Sequence, residues 1–248
     1  MQDNQIIYGL RPVIEAVRSG KRIDRIFFQT NLQGRLFNEL KEEIARSGIK
    51  INQQYVPVEK LDRLTHRQNH QGVVAQLPLI EYHDLEQVLD EVVEKGENPF
   101  LLMLDGVTDV RNLGAIARSA ECAGVHALIL PQQSTAPVNQ DAIKTSAGAL
   151  LRLPVCRTDN AKTVVRLVQT LGLRVYAVTE KAQKTLYTKM DAVHPLMLIM
   201  GSEDKGINPQ LLRIADDLVY IPMKGNIESL NVSVAAGIAL YEVVRQRM

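Results

Sequence analysis

The sequence predicts an α/β protein in which a parallel-sheet domain follows a smaller α/β sandwich. Three observations predict it. From Phe100 onward, short apolar runs alternate with helix-like segments. Fully apolar strands separated by helices indicate a parallel sheet covered on both faces. Residues 5–78 carry a separate alternation of helical and strand-like segments, long enough to bury a core of their own. Between the two lies the acidic stretch 79–99, while the blocks on either side are mildly basic. The expected domains are therefore 1–78 and 100–248, joined by a linker, 79–99, that contains one short helix.

The elements follow in order. Gly9 to Gly20 reads as a helix with Pro12 in its first turn and Gly20 as its stop. Arg25–Thr30 is a strand, and Leu36–Ser47 an amphipathic helix ended by Gly48. Ile49–Val56 is a further strand, Val58–Leu64 a short helix and Gly72–Leu77 a last strand. In the linker, Asp84 and Gln87 fit a capping box, and Leu85, Val88, Leu89, Val92 and Val93 recur at helical spacing up to Gly96. The second domain has strands at 100–104, 127–130, 152–156, 174–178, 196–200 and 218–221. Its helices are expected near 112–123, 139–149, 160–171, 208–216 and 232–247.

Composition excludes several classes. The 248-residue chain has the apolar and charged content of an ordinary globular protein. No run of ~18 apolar residues is present to span a membrane. The N-terminus lacks the basic and apolar regions of a signal peptide, so a cytoplasmic location is expected. Cys122 and Cys156 are too few for a disulfide framework and read as reduced core thiols. The five histidines are scattered, and no Cys/His cluster at metal spacing occurs, so no metal site is expected. Neither a G-x-G-x-x-G dinucleotide fingerprint nor a P-loop is found.

Three segments stand at the C-terminal ends of expected strands, the edge where open α/β sheets bind ligands. The first runs from Asp105 to Ser119 and contains Asn112 and Arg118. The second is Met200-Gly201-Ser202-Glu203-Asp204-Lys205-Gly206-Ile207. The third runs from Ile221 to Ala236 and contains Ser229, Asn231 and Ser233 at alternating positions just before the last helix. Singly, each residue has an ordinary use. Asn112 and the Ser/Asn residues cap helices, Arg118 sits on a surface, and Glu203 is an acid at a helix N-terminus. A polar loop at 65–71 reads as exposed connection or as nucleic-acid contact.

Together and in this order, the three segments resemble the SpoU/TrmH family of RNA ribose 2′-O-methyltransferases. The resemblance lies in Asp105…Asn112-x-Gly114-x-x-x-Arg118, Gly201-x-Glu203-x-x-Gly206 and Ile221-Pro222-Met223…Ser229-Leu230-Asn231-Val232-Ser233. Residues 5–78 are similar to the family's substrate-binding domain through Tyr8-Gly9-Leu10…Pro12-Val13 and His70-Gln71-Gly72. Val110 stands where the family commonly has Pro, and Asp204 where it often has Gly.

The resemblance implies a trefoil-knotted catalytic domain whose backbone at Gly201, Ile221 and Leu230 holds S-adenosyl-L-methionine. It implies that Arg118 meets the ribose 2′-hydroxyl, that Asn112 and Glu203 orient Arg118 and the RNA, and that Ser229 and Asn231 hold the ribose or Arg118. Ser233 is then left as the helix-start residue. The family assigns Arg118 as a base, but a guanidinium stays protonated, so positioning or charge stabilisation is the expected role. The two-domain branch implies a homodimer acting on a guanosine of 23S rRNA, free or in a large-subunit assembly intermediate. A tRNA substrate and a non-catalytic RNA-binding assembly factor are the alternatives.

Overall fold

Strand residues point alternately to opposite faces, and this rule builds both sheets of the protein. The computed structural model describes residues 6–48, 51–132, 134–226 and 229–248. It divides into two units between Leu79 and Ile80.

The first unit contains β1 (Ile6–Tyr8), α1 (Leu10–Arg18), β2 (Arg25–Gln29), α2 (Arg35–Arg46), β3 (Asn52–Val56), α3 (Val58–Leu64) and β4 (Val73–Gln76). The strand order is β1-β4-β2-β3, with β4 antiparallel to β1 and β2, and β2 parallel to β3. Ile26, Phe28, Val73 and Ala75 face one way, onto Val13, Val17, Leu40 and Ile44 of α1 and α2. Phe27 and Val74 face the other way, onto Leu61 of α3. The expected elements are present, and β1 is added. Three residues are too short a run to carry a readable period. Of the strand expected at Ile49–Val56, Ile49 and Lys50 lie outside the described residues.

The second unit begins with α4 (Leu85–Glu94), β5 (Phe100–Asp105), α5 (Val110–Cys122), β6 (Ala127–Pro131) and α6 (Gln140–Thr145). A 3-10 turn (Ala149–Leu151), β7 (Val155–Thr158), α7 (Ala161–Thr170), β8 (Arg174–Val178), β9 (Lys184–Thr185) and α8 (Leu186–Lys189) follow. The chain closes with β10 (Leu196–Gly201), α9 (Pro209–Ile214), β11 (Asp217–Tyr220) and α10 (Val232–Arg247). Seven strands pair in the order β7-β6-β5-β10-β8-β11-β9, every pair parallel. Leu102 and Leu104 of β5 pack with α5, α6 and α10 on one face. Leu101 and Met103 pack with α4, α7 and α9 on the other. The helix expected in 79–99 is α4. Its Leu85, Val88, Leu89 and Val92 join that second face, and Asp84 caps it by accepting from the amides of Glu86 and Gln87. No helix among the described residues is long and apolar enough to cross a membrane.

Several boundaries moved. The helix expected over 139–149 stops at Thr145, because Ala147 and Gly148 take left-handed φ values of 51° and 84°. The strand expected at 152–156 starts at Val155. The amides of Arg152 and Leu153 still bond back to the Ala149 carbonyl, and Pro154 has no N–H to give. The pair β9 and α8 was not expected, being only two and four residues long. Cys122 is exposed on α5 and is not a core thiol, whereas Cys156 is buried.

Gly114 sets the approach of α5 to α6. A Cβ there would lie 2.7 Å from Thr145 Cβ and 2.8 Å from the Ala142 carbonyl oxygen. Gly114→Ala should therefore destabilise the protein by about 1–3 kcal/mol in urea denaturation, the cost of overpacking a filled crossing. The thiols give a second test. Burial, with Asp84 adding to it, pushes the Cys156 thiol up to about 12, so it stays protonated at pH 8. A thiol reagent should modify Cys122 alone in the native protein and both cysteines after denaturation. Equal native rates at the two would contradict the packing.

Candidate active site

In the parallel sheet, β5 and β10 are neighbours in register, so Asp105 and Gly201 end side by side at the C-terminal edge. The buried Asp105 carboxylate fixes what lies above them. Its Oδ2 accepts from the Asn208 amide at 2.7 Å, and its Oδ1 accepts from Ser134 Oγ at 3.4 Å. Beyond Gly201 the chain turns back at once. Ser202 and Gly206 exchange backbone hydrogen bonds of 3.0 and 3.3 Å, and the Lys205 amide donates to Ser202 Oγ. Glu203 stands in this turn. The turn also explains Gly201, since a Cβ there would meet Gly206 C and Ile207 N at 2.3 Å. Its lack of a side chain serves an approach of the chain's own backbone, where the sequence suggested an approach to a ligand.

Asn112 was expected at a helix start, where capping is its default. The cap of α5 is instead Asp109, whose Oδ1 accepts from the Arg111 and Asn112 amides at 2.6 and 3.0 Å. An aspartate just ahead of the helix is itself a readable cap signal. With the cap supplied by Asp109, the Asn112 amide group is released for a longer-range contact. Its Nδ2 donates to Glu203 Oε1 at 3.3 Å, and its Oδ1 accepts from Asn231 Nδ2 at 3.1 Å. Asn231 Nδ2 also donates to Glu203 Oε1 at 2.5 Å, and the Val232 amide donates to the same oxygen at 3.1 Å. One residue from each segment thus meets at a single carboxylate oxygen.

The structure redistributes roles in the third segment. Asn231, not Ser233, is the N-cap of α10: its Oδ1 accepts from the Ser233 amide at 3.0 Å. Ser233 lies inside the first turn, and its hydroxyl donates to Asn231 Oδ1. Ser229 is exposed and makes no hydrogen bond among the described residues. Ile227 and Glu228, within the same segment, lie outside the described residues.

Arg118 does not join the network. It is exposed and makes no hydrogen bond or ion pair among the described residues. Six positions along α5 from Asn112 put it roughly 9 Å further on and some 240° around the axis. It belongs to the outward stripe of Arg111, Ala115 and Cys122. Within one chain, therefore, Asn112, Glu203 and Asn231 brace each other and leave Arg118 untouched.

The fit to a cofactor rests on unused backbone. Among the described residues, no backbone hydrogen bond reaches the amides of Ile221, Met223, Lys224 or Leu230. Ile221 and Leu230 are half-buried. Free main-chain donors at the ends of parallel strands suit an adenosine-bearing ligand held through the backbone. No group of three or more His, Cys, Asp or Glu positioned for a metal occurs among the described residues.

Both units match known families. Residues 99–241 match the SpoU rRNA Methylase family, and residues 6–83 match "RNA 2′-O ribose methyltransferase substrate binding". The chain belongs to the SpoU rRNA methylase family. It is 37% identical to the 23S rRNA (guanosine-2′-O-)-methyltransferase RlmB of Photorhabdus laumondii over 98% of this chain and 99% of that protein. It is 36% identical to RlmB of Ralstonia nicotianae over 100% and 98% of the two chains. Among solved structures, the AdoMet-bound rRNA methyltransferase of Sinorhizobium meliloti superposes with a TM-score of 0.61 at 26% identity, over 98% of this chain and 87% of that one. The family member described here is an S-adenosylmethionine-dependent RNA methyltransferase.

Because Glu203 Oε1 receives donors from both α5 and the start of α10, its loss should act on both. Glu203→Ala and Asn112→Ala should each lower methyl transfer, and the double variant should lose less than the product of the two single losses. Multiplying losses in a double-mutant cycle would show that the residues act independently.

Proposed function

We propose that this protein methylates the ribose 2′-hydroxyl of a guanosine in 23S rRNA, free or within a large-subunit assembly intermediate, and that it acts in the cytoplasm as a homodimer. The observation that carries the reading is the meeting of Asn112, Glu203 and Asn231 at the sheet edge, next in sequence to Leu230, whose amide has no backbone partner among the described residues. Full-length similarity to proteins named as 23S rRNA guanosine methyltransferases supports the substrate. We further propose that residues 1–78 form the RNA-binding domain and 100–248 the catalytic one, and that the C-terminal segment passes through a trefoil knot.

S-adenosylmethionine supplies a methyl group on a sulfonium, which needs no further activation. What the chain must supply is placement and charge control. The backbone at Gly201, Ile221 and Leu230 holds the adenosine end in this reading. Glu203 is engaged by three donors and so orders the turn, the start of α5 and the start of α10 as one rigid frame. Ser229 contacts the ribose from the exposed side of that segment. Arg118, without a protein partner among the described residues, offers its planar fork to the 2′-oxygen and the adjacent phosphate. It holds the oxygen in line and stabilises the charge that develops there. The proton leaves to phosphate or water.

The homodimer is supported by α10. Val232 and Leu240 are buried and Ile238 packs against the same core, but Val234 and Tyr241 are 50% and 53% exposed, with Gly237 between them on the same face. An outward apolar stripe on a helix suits a second copy of the chain.

Arg118→Ala should reduce methyl transfer by about 10²–10³-fold while calorimetric binding of S-adenosylmethionine stays within error of wild type. Near-normal transfer would remove Arg118 from the mechanism. Mapping 2′-O-methyl sites in rRNA from cells with and without the gene should reveal one missing guanosine mark in 23S rRNA. A missing tRNA mark instead would move the substrate. Light scattering should give twice the chain mass for the wild type and the single-chain mass for Tyr241→Glu.

A further inference from the structure

The polar loop after α3, one of two open readings at the sequence level, is a built feature of the first unit. Thr65 is buried, and its hydroxyl donates to the Leu61 and Gln68 carbonyls. The Arg67 amide donates to the Asp62 carbonyl at 2.7 Å. His70 is buried as well. Its Nδ1 accepts from the Gly72 amide at 3.0 Å, which leaves Nε2 as the donor to Asp62 Oδ1 at 3.3 Å. Within this frame, His66 and Arg67 are consecutive non-glycine residues in the left-handed region, with φ of 51° and 61°. Such residues persist where the surroundings over-determine them. Their side chains lie beside α3.

There they line a cleft of about 630 Å³ together with Glu59, Asp62 and Arg63. Arg63 Nε donates to the Glu59 carbonyl at 3.3 Å and His70 takes one Asp62 oxygen, but among the described residues no guanidinium pairs with a carboxylate there. Among the described residues, neither Arg63 nor Arg67 has a carboxylate within 4.0 Å, although two carboxylates share the cleft. A site for phosphate alone would exclude those acids, and a structural ion pair would have closed on them. Guanidinium donors and carboxylate acceptors on one surface, with an imidazole alongside, match the edge and face of a nucleobase. An A-form duplex hides its base edges in a deep, narrow groove, whereas single-stranded segments splay bases outward for such contacts.

We infer that the cleft formed by Glu59, Asp62, Arg63, His66 and Arg67 binds one unpaired nucleotide of the RNA substrate, with guanine preferred. Guanine offers N–H donors to a carboxylate and the O6/N7 acceptor pair to a guanidinium. His66 stacks on the base, and Arg63 meets the adjoining phosphate. The cleft would thus select a looped-out nucleotide at a second position, separate from the methylated one. This rests on the reading of the chain as an RNA methyltransferase.

The test uses fluorescence anisotropy of the full-length protein with labelled (UUG)4, (UUA)4 and a 12-base-pair RNA duplex. Wild type should bind (UUG)4 about ten-fold more tightly than either other probe, a difference of about 1.4 kcal/mol. Arg63→Gln, on the helix, and Arg67→Asn, whose side chain tolerates left-handed backbone, should each weaken (UUG)4 binding several-fold with unchanged thermal melting. Glu59→Gln should erase the preference for (UUG)4 over (UUA)4. In methyl transfer to rRNA, Arg67→Asn should raise KM and leave kcat unchanged. Wild-type (UUG)4 affinity in both arginine variants, or duplex binding as tight as that of (UUG)4, would overturn the inference even with methyl transfer intact. If the cleft variants behave as expected but the wild type methylates no RNA, the enzymatic reading fails and the nucleotide cleft stands.

Discussion

The catalytic unit depends on one carboxylate oxygen. Glu203 Oε1 accepts from Asn112, Asn231 and the Val232 amide, groups that come from α5 and from the entry to α10. Charge-assisted hydrogen bonds are about twice as strong as neutral ones, and here they draw together segments up to 119 residues apart in sequence. The negative charge also sits at the start of a 16-residue helix, where the backbone dipole favours it. Removing the carboxylate would strip a partner from three donors at once.

Asp105 carries the layer beneath. Buried at the end of β5, it receives the Asn208 amide and the Ser134 hydroxyl, so it ties the loop after β6 to the loop after β10. Gly201 then permits the chain to fold back on itself at 2.3 Å from the position a Cβ would take. These two residues fix the strand end from which the Glu203 turn starts and the Asn208 amide beyond it. Preorganisation of this kind lets a site act through placement, which is the main requirement of a reaction whose electrophile is already activated.

The division of labour among the polar residues differs from what their types suggest. Asn112, Asn231 and Ser233 are all good caps in principle. In the protein Asp109 caps α5, Asn231 caps α10, and Asn112 is freed to brace Glu203. Asn231 does both jobs, its Oδ1 capping the helix while its Nδ2 bonds Glu203 and Asn112. Helix pitch sends Arg118 to a different side of α5, where it has no hydrogen bond or ion pair among the described residues. In the first unit, the loop that the local pattern leaves as an exposed connection or a nucleic-acid contact has left-handed backbone at His66 and Arg67.

By itself, the sequence determined the two α/β units, the parallel character of the larger sheet and the three segments at its ligand-binding edge. These are recorded in local period and composition, such as the apolar run Phe100–Leu104 and the helical spacing of 85–92, and in short motifs with fixed spacing. Only the tertiary structure decided which asparagine caps and which braces, why residue 201 is glycine, and where Arg118 points. It also decided the short strands β1 and β9, whose two or three residues hold no period to read. The reason is the same in each case. A hydrogen bond such as Asn231 to Asn112 joins residues far apart along the chain, and its existence depends on strand order and helix phase that no local pattern records.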